Sequence, residues 1–350
     1  MADGSARRAR IERLLEAARE LADGERASGR ALRARLLATT ALSSAGIERA
    51  LGHALETHPS EAEVQALLAA TPEAPRAHVL LSANVFVAAL RAIALGVASS
   101  KSVAVRASRR DPALAEALFA LVPDLFELTP RLTPAAGERM WSYGSDATLA
   151  EVRRSLPPGV WFHPHGAGFG AVVVAAAAWA PETARGIALD TALFDQQGCL
   201  SPRLVCVVGS DAQARSIAGQ LAEQLRALDA ELPPGPKNED ERAVARRQRD
   251  AAAYAFELFD AGSGWISCST RAVLPPGQRT LHVVPTSDAV STLSPFTSHL
   301  TCIASGAHAL SSELCRRFPG ARVVAVGEMQ RPPFDGPVDH RKSPKGELIG

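Results

Sequence analysis

The chain has 350 residues, of which 47% are hydrophobic and 21% are charged, and its formal net charge at pH 7 is +1. This length is enough for two or three domains with sizeable cores, and the composition is typical of a soluble globular protein. The near-neutral charge excludes an electrostatic reason to expect nucleic acid or an anionic membrane as a partner. The longest apolar run, residues 171–180, is too short to span a bilayer. We therefore expect a cytoplasmic protein.

Residues 1–75 predict an N-terminal layer of helices, including one that starts after Ser60 with a capping pattern. From His78 onwards, short apolar strands alternate with helices, a pattern that predicts a parallel α/β sheet. A highly charged helix is expected over residues 239–259. The pattern is divided into a helical layer, two α/β domains and a C-terminal tail, at residues 1–75, 76–189, 190–326 and 327–350.

The chain has five cysteines, and their number and spacing bear on whether it contains disulfides or a zinc site. An odd number without a CxxC pair fits a reduced interior better than a disulfide framework, and no spacing suits zinc. We expect no metal. The cysteines are Cys199, Cys206, Cys268, Cys302 and Cys315.

One of these cysteines, Cys199, lies within LFDQQGCLSPR at residues 193–203, just before an apolar run at 204–208. Gly198 and Pro202 are turn residues, so the thiol is expected on a tight connection that leads into a buried strand. A connection of this kind holds a nucleophile rigidly, with backbone N–H groups aimed at the atom it attacks. The alternative is that Cys199 is a small buried hydrophobe.

The sequence FDQQGCLSP around Cys199 resembles the nucleophile segment of the acyl-CoA reductases that supply fatty aldehyde to bacterial luciferase, the LuxC-type family of the aldehyde dehydrogenase superfamily. The resemblance implies two parallel-sheet α/β lobes behind the helical layer, with a nucleotide-binding domain at 76–189 and a catalytic domain at 190–326. It implies NADPH-dependent reduction of an acyl thioester, on CoA or an acyl-carrier protein, to an aldehyde. Cys199 would carry the acyl group.

Asn84 stands between a predicted strand at residues 79–83 and a predicted helix at residues 85–98. An Asn in front of a helix usually caps it. In the superfamily, however, an Asn at this strand end stabilises the oxyanion together with the backbone N–H of the cysteine. Asn84 matches that pattern, and an amide donor suits a developing negative charge.

The segment after the next predicted strand resembles the superfamily segment in which a Lys, followed two residues later by a Ser, contacts the adenosine ribose. Here Arg106 replaces the Lys, and Ser108 matches the Ser. Arg109 and Arg110 supply cations suited to a 2′-phosphate, which favours NADPH over NADH. The alternative is a solvated basic start of a helix.

Two further segments resemble cofactor-binding parts of the superfamily. Gly144 and Ser145 stand between a predicted strand and a predicted helix, where a helix N-terminus suits a pyrophosphate, although Gly-Ser before a helix is common without a ligand. Glu328, in VGEMQ, resembles a Glu that holds the nicotinamide ribose.

The run HPHGAGFG at residues 163–170 permits two interpretations. His163 and His165 could form a metal pair, but no third ligand is near them in sequence. The resemblance instead places this run where aldehyde-oxidising relatives carry Glu-Leu-Gly-Gly-Lys, whose Glu is the base for thioester hydrolysis. The missing carboxylate favours reduction over acid formation, and either histidine could act as an acid or base.

Two alternative functions stay open at the level of sequence. One is an NAD(P)-dependent aldehyde dehydrogenase, which the missing carboxylate disfavours. The other is a non-catalytic homologue that binds acyl groups or a biosynthetic partner. The superfamily resemblance implies a homo-oligomer in each case.

Overall fold

A computed structural model describes residues 2–306, 308–343 and 345–350. Its helices are α1 (Ala2–Ala22), α2 (Ala27–Thr39), α3 (Ser44–Arg49), α4 (Glu61–Ala70), α5 (Ala88–Ser99), α6 (Ala113–Leu121), α7 (Asp146–Ser155), α8 (Pro181–Ala192), α9 (Asp211–Glu231), α10 (Glu239–Ala255), α11 (Ala289–Leu293) and α12 (His308–Arg317). Its strands are β1 (Ala77–Leu80), β2 (Val103–Arg106), β3 (Glu127–Leu128), β4 (Arg139–Tyr143), β5 (Trp161–His165), β6 (Phe169–Ala175), β7 (Pro202–Val208), β8 (Glu257–Ala261), β9 (Gly264–Cys268), β10 (Thr280–Thr286), β11 (Leu300–Ser305), β12 (Arg322–Ala325) and β13 (Glu347–Leu348). Strands and helices mostly alternate from β1 onwards, as the sequence pattern predicts, although among these described residues no helix separates β3 from β4, β5 from β6, or β8, β9 and β10 from one another.

The chain folds into two compact units. The first unit comprises Met1–Thr40, Ala50–Ala167 and Pro333–Gly350, and the second comprises Ala41–Arg49 and Gly168–Pro332. The sequence-based division at residue 189 differs from this one, because β6 and α8 belong to the second unit. The predicted C-terminal tail is likewise shared between the two units.

The first unit contains a six-stranded sheet in the order β13-β5-β4-β1-β2-β3. All neighbours are parallel except β13, which pairs antiparallel with β5. The N-terminal helices α1, α2 and α4 pack on α5 and α6 and form the helical layer that the sequence predicts. Strand order runs outward in one direction from β1 to β3 and in the other from β4 to β5. This reversal between β1 and β4 is a topological switch point.

Helix α5 lies close to the centre of this sheet because of one glycine. A Cβ added at Gly96 would lie 3.0 Å from side-chain atoms of both Val79 and Val103. The missing side chain lets α5 approach β1 and β2 closely.

The second unit contains a seven-stranded sheet in the order β12-β11-β6-β7-β10-β9-β8. Its strands are parallel except for the antiparallel pair β8 and β9. The central strands are continuous apolar runs, as strands buried on both faces require. Residues 171–174 of β6 and 204–207 of β7 are almost fully buried.

The predicted charged helix at residues 239–259 is too long. Helix α10 starts after an Asn238 capping box and ends at Ala255. Glu257–Ala261 instead forms β8, in which Glu257 pairs with Cys268 and Ala261 with Gly264. The backbone N–H and C=O groups of β8 form hydrogen bonds with β9. The charge pattern of residues 239–259 gives no sign of this pairing.

Among the described residues, no helix is long and apolar enough to cross a membrane.

Candidate active site

Cys199 lies in a tight turn immediately before β7. The backbone N–H of Ser201 donates to the carbonyl oxygen of Gly198 at 3.1 Å, and the Thr301 hydroxyl donates to the carbonyl oxygen of Cys199. Cys199 is partly exposed, whereas Ser201 and Thr301 are fully buried. The structure confirms the predicted connection into a buried strand. Residues 198–201 are referred to below as the Cys199 turn.

The backbone that leads into this turn is strained. Phe194, Asp195 and Gln196 have φ values of 54°, 49° and 61°, in the left-handed region that side-chain-bearing residues avoid. Each such residue costs about 1–2 kcal/mol, so three in succession persist only where surrounding contacts hold them. Strain of this kind is characteristic of functional sites.

A buried ion-pair network holds Asp195. The Arg279 Nε donates to Asp195 Oδ1 at 2.9 Å, and the backbone N–H of Gly235 donates to Asp195 Oδ2 at 2.9 Å. Arg279 also donates from Nη1 to Asp229 Oδ1 at 2.6 Å. The opposite charges and the hydrogen bonds offset the cost of burying this carboxylate.

Gln196 fixes the same backbone from its side chain, which is 1% exposed. Its Oε1 accepts the backbone N–H of Thr280 at 2.8 Å. Its Nε2 donates to the carbonyl oxygens of Pro202 at 2.5 Å and of Thr280 at 2.7 Å. The amide therefore joins both sides of the Cys199 turn to β10. The neighbouring Gln197 is exposed.

A second turn, residues 326–330 after β12, lies beside the Cys199 turn and is referred to below as the Glu328 turn. The Asp190 carboxylate accepts the backbone N–H groups of Gly327 at 2.7 Å and Met329 at 3.0 Å. Burial raises the pKa of Asp190, and the hydrogen bonds from these backbone N–H groups, which favour the ionised carboxylate, oppose that rise. Gln330 donates from Nε2 to the Ser201 hydroxyl at 3.2 Å. Glu328 itself is exposed.

Gly170 on β6 is the point at which these two turns converge. A Cβ added there would lie 2.3 Å from the carbonyl oxygen of Leu200 and 2.4 Å from the Met329 methyl carbon. Only glycine permits this approach, so the position of Gly170 in the sequence reflects packing of the two turns.

Three of the other cysteines lie in environments that do not favour a nucleophile. Burial raises the pKa of Cys206 to about 12 and also raises the pKa values of Cys302 and Cys268. Cys315 is exposed on helix α12. The thiolate is the reactive form of cysteine, so Cys206 and Cys302 are inert core residues. Cys199 is distinguished by partial exposure on a rigidly held turn.

In the first unit, the remaining candidate residues gather at one edge of the sheet. Strand β1 is parallel to both β2 and β4, and Leu80 pairs with Arg106 on one side and Ser142 on the other. The carboxyl ends of the three strands therefore meet at the switch point, where open α/β sheets bind ligands. The candidate residues at this edge are Asn84, Arg106, Ser108, Arg109, Gly144 and Ser145.

Asn84 does not cap a helix. Helix α5 begins at Ala88, and its N-cap residue is Val87, which makes no side-chain cap hydrogen bond. Asn84 is exposed and has a φ of 92°, which is unusual for a residue with a side chain. The capping alternative is therefore wrong, and the amide projects from a strained loop at the end of β1.

The residues after β2 are mostly exposed. Arg106 ends the strand with its side chain exposed, and Arg109 is exposed in the following loop. Ser108 Oγ accepts the backbone N–H of Arg110 at 3.3 Å and so shapes this loop. The side chains of Arg106 and Arg109 are both open to solvent, where a guanidinium group can form a bidentate pair with a phosphate.

Ser145 is the N-cap of helix α7. Its Oγ accepts the backbone N–H of Thr148 at 3.2 Å and shares a hydrogen bond with the Thr148 hydroxyl at 2.9 Å. The backbone N–H of Gly144 donates to the carbonyl oxygen of His165 at 3.2 Å. The Ser145 hydroxyl therefore serves the helix, as its sequence position also permits.

The two histidines of β5 are buried and stack on β4. The rings of His163 and Trp141, and of His165 and Tyr143, have centroids 4.5 Å apart in each pair. Burial is the main cause that lowers the pKa of His163 to about 3 and that of His165 to about 4. Arg139 Nη1 lies 3.1 Å from His163 Nε2. Among the described residues, no group of three or more His, Cys, Asp or Glu side chains is arranged to hold a metal ion.

The sequence profile of the acyl-CoA reductase (LuxC) family matches residues 127–339, more than half of the chain. The chain belongs to the LuxC acyl-CoA reductase family. The matched range includes Cys199, Gly144, Ser145 and Glu328, whereas Asn84 and the residues after β2 precede it. No curated protein matches the chain.

The fold resembles that of several solved aldehyde dehydrogenases. A Burkholderia multivorans NAD-dependent aldehyde dehydrogenase superposes with a TM-score of 0.59 at 13% identity, over 99% of this chain and 78% of that one. A Corynebacterium glutamicum NAD-dependent benzaldehyde dehydrogenase has a TM-score of 0.68 at 13% identity, over 94% and 82%. A Pseudomonas putida salicylaldehyde dehydrogenase has a TM-score of 0.66 at 12% identity, over 92% and 78%.

These comparisons confirm the predicted fold class and family. As a member of the acyl-CoA reductase family, the protein is an oxidoreductase that acts on acyl or aldehyde groups. At 12–13% identity the solved structures support the fold alone.

Proposed function

We propose that this acyl-CoA reductase converts an acyl thioester, on CoA or an acyl-carrier protein, to an aldehyde with NADPH through an acyl-enzyme on Cys199. The Cys199 turn carries the proposal. A partly exposed thiol follows three left-handed residues that buried side chains hold in place, within the range that the family profile covers. A rigid turn of this kind suits a nucleophile.

In the proposed first step, the Cys199 thiolate attacks the carbonyl carbon of the thioester and a new carbon–sulfur bond forms. The negative charge passes to the carbonyl oxygen, where the Asn84 amide and the backbone N–H of Cys199 would stabilise it. The bond to the CoA or carrier sulfur then breaks, and that thiol leaves with the proton that Cys199 lost.

In the second step, the acyl group on Cys199 is reduced. NADPH supplies the hydride when it is bound. The carbon–sulfur bond to Cys199 then breaks, the aldehyde leaves, and the thiolate takes up a proton to restore the free enzyme. The proposed sequence thus consumes one NADPH and one proton for each aldehyde formed.

The carboxyl edge of the first sheet fits a dinucleotide. It lies at a switch point, and helix α7 directs its N-terminus there, which suits a pyrophosphate near Gly144 and Ser145. Arg106 and Ser108 would contact the adenosine ribose, and Arg109 would contact a 2′-phosphate. Glu328 would hold the nicotinamide ribose.

The β5 histidines support reduction over hydrolysis. Neither is a carboxylate, and with pKa values of about 3 and 4 both are weak bases at neutral pH. A general base works best when its pKa lies near the working pH. The acyl-enzyme therefore lacks an evident base on β5 to activate water, so it would persist until CoA or hydride attacks it.

Mass spectrometry of the intact protein tests this proposal. After exposure to a panel of acyl-CoAs of different chain length, the unmodified protein and the C315S variant should gain the mass of one acyl group. C199S should gain none and should consume no NADPH. Cys315 is the matched control because its thiol is also solvent-accessible. Turnover by C199S would refute the assignment.

The two alternatives give different results in simple assays. An aldehyde dehydrogenase would convert decanal and NADP to the acid without CoA, which the proposed enzyme should not do. A non-catalytic scaffold would not bind NADPH in a calorimetric titration. The homo-oligomer, the cytoplasmic location and the choice between CoA and a carrier protein stay predictions.

A further inference from the structure

Asp190 holds the backbone on both sides of Glu328. It lies in the last turn of helix α8 and is fully buried. One carboxylate oxygen accepts the N–H of Gly327 at 2.7 Å, and the other accepts the N–H of Met329 at 3.0 Å. The single residue between these two amides is Glu328, whose side chain is exposed. The buried Asp190 carboxylate thus holds the backbone of the Glu328 turn in place through two hydrogen bonds.

Gln330 connects the Glu328 turn to the Cys199 turn. Its Nε2 donates to the carbonyl oxygen of Asp190 at 3.0 Å and to the Ser201 hydroxyl at 3.2 Å. The carbonyl oxygen of Ser201 in turn accepts the N–H of Gly170 at 2.8 Å. A continuous series of hydrogen bonds therefore joins the Glu328 turn to the Cys199 turn.

Burying the carboxylate of Asp190 and the amide of Gln330 costs free energy unless each group is hydrogen-bonded. A buried carboxylate without a hydrogen bond would be strongly destabilising, so each of the contacts above compensates a cost that an apolar residue would avoid. The groups that donate to the Asp190 carboxylate, and the Ser201 hydroxyl that accepts from Gln330, belong to two turns and not to the apolar core. These buried hydrogen bonds therefore fix the positions of the two turns.

We infer that Asp190 and Gln330 are positioning residues that hold Glu328 in register with Cys199 and thereby set the affinity for the nicotinamide cofactor. The inference rests on the proposed function, in which Glu328 contacts the cofactor. Asp190 and Gln330 touch neither substrate nor cofactor in this scheme. They act through the backbone of the Glu328 turn.

The Cys199 turn has anchors of its own, which makes the expected effects separable. Gln196 binds Pro202 and Thr280, and the Thr301 hydroxyl binds the Cys199 carbonyl oxygen. None of these contacts passes through Asp190. Loosening the Glu328 turn should therefore weaken cofactor binding while acylation of Cys199 continues.

The experiment compares D190N and Q330L with the unmodified enzyme. In D190N an amide NH₂ faces a backbone N–H that now lacks its acceptor, and in Q330L the link to Ser201 is lost. We expect each variant to weaken NADPH binding about tenfold in a fluorescence titration, as loss of an anchored contact of this kind does. The rate of Cys199 acylation by acyl-CoA should stay within about twofold. D211N, at an exposed Asp on α9, should change neither.

Two further readouts separate positioning from a merely structural role. Hydrogen exchange of the peptide spanning residues 326–330 should accelerate in D190N without cofactor, while exchange of residues 198–201 stays unchanged. E328Q should also weaken NADPH binding, and adding D190N to it should weaken binding by no more than about twofold further, because both act through one contact.

The outcomes are distinguishable from failure of the proposed function. Unchanged NADPH affinity and exchange in folded D190N and Q330L would overturn the inference, as would an equal slowing of acylation. If D190N does not fold, Q330L alone decides the matter. If the unmodified protein binds no NADPH, the proposed function fails and the inference falls with it. Binding of NADPH without acylation of Cys199 refutes the acyl-enzyme only.

Discussion

The candidate residues of the first unit and the candidate nucleophile of the second lie at opposite ends of strands. In the first unit, Asn84, Arg106 and Gly144 follow the carboxyl ends of neighbouring parallel strands. In the second unit, Cys199 precedes the amino end of β7. The first arrangement is the general ligand-binding edge of an open α/β sheet. The second is a turn that follows three left-handed residues and is held by buried side chains.

The two sites also differ in how firmly they are held. Buried side chains bind the Cys199 turn and its approach, most directly Gln196, Asp195 and Thr301. The first unit instead presents Asn84, Arg106 and Arg109 as exposed side chains. The position of the nucleophile is therefore set by the fold, whereas the first unit presents surface residues that can change without loss of the core.

Replacing Asn84 by Gly should have the largest effect on activity. The substitution removes the amide yet suits the φ of 92°, so the backbone is preserved. Loss of one oxyanion donor costs about 10²–10³ in rate. Single-turnover acylation of Cys199 would measure it. N84A should show the same loss with lower thermal stability, and a wild-type rate in N84G would remove Asn84 from the site.

Replacing Gln196 by Leu should chiefly affect stability. The change leaves three buried backbone groups of Pro202 and Thr280 without their partners. Each unsatisfied group costs about 1–3 kcal/mol, so we expect a loss of at least about 3 kcal/mol in chemical denaturation. Q197L is the matched control, because Gln197 is exposed and its loss should cost no more than about 0.5 kcal/mol. Equal effects would contradict the distinction between the two residues.

Replacing His165 by Asn tests the buried part of the first unit. The folded pKa of His165 is about 4, below its usual 6.5. Between these values the unfolded chain binds more protons, so stability is kept above pH 6.5 and falls as the pH falls toward 4. The variant should lack this contribution, which amounts to about 3 kcal/mol. Denaturation of both proteins at pH 7 and pH 4 measures it, and parallel pH profiles would refute it.

Replacing Arg109 by Ser should have the smallest effect. An exposed cation next to a 2′-phosphate contributes about 1.5 kcal/mol, so the preference for NADPH over NADH should fall about tenfold. The ratio of kcat/KM for the two cofactors measures this, and the NADH value serves as the internal control. An unchanged ratio would show that the cofactor edge does not read the 2′-phosphate through Arg109.

Local sequence signals were sufficient for much of the fold. The apolar runs at β6 and β7 and the turn residues around Cys199 predict their own structure, because the information lies within a few residues. Short-range patterns did not reveal that residues 257–261 leave helix α10 to pair with β9. They also did not reveal that β13 pairs with β5, a contact between distant segments.

The hydrogen bonds that hold the candidate site could not be predicted either, because they join residues that are far apart in the sequence. Asp190 binds the backbone of Gly327, 137 residues further along the chain, and Gln196 binds Thr280, 84 residues away. The left-handed backbone at residues 194–196 has no glycine to signal it. The resemblance around Cys199 identified the nucleophile segment, but its structural supports required tertiary contacts.

The proposed function requires that hydride reduces an acyl group held on Cys199. Its most direct test is to acylate the protein with an acyl-CoA, remove the excess reagent and add NADPH. We expect the mass of the acyl adduct to disappear while one equivalent of aldehyde forms and one equivalent of NADPH is consumed. Persistence of the adduct, or release of free acid in place of aldehyde, would contradict the claim.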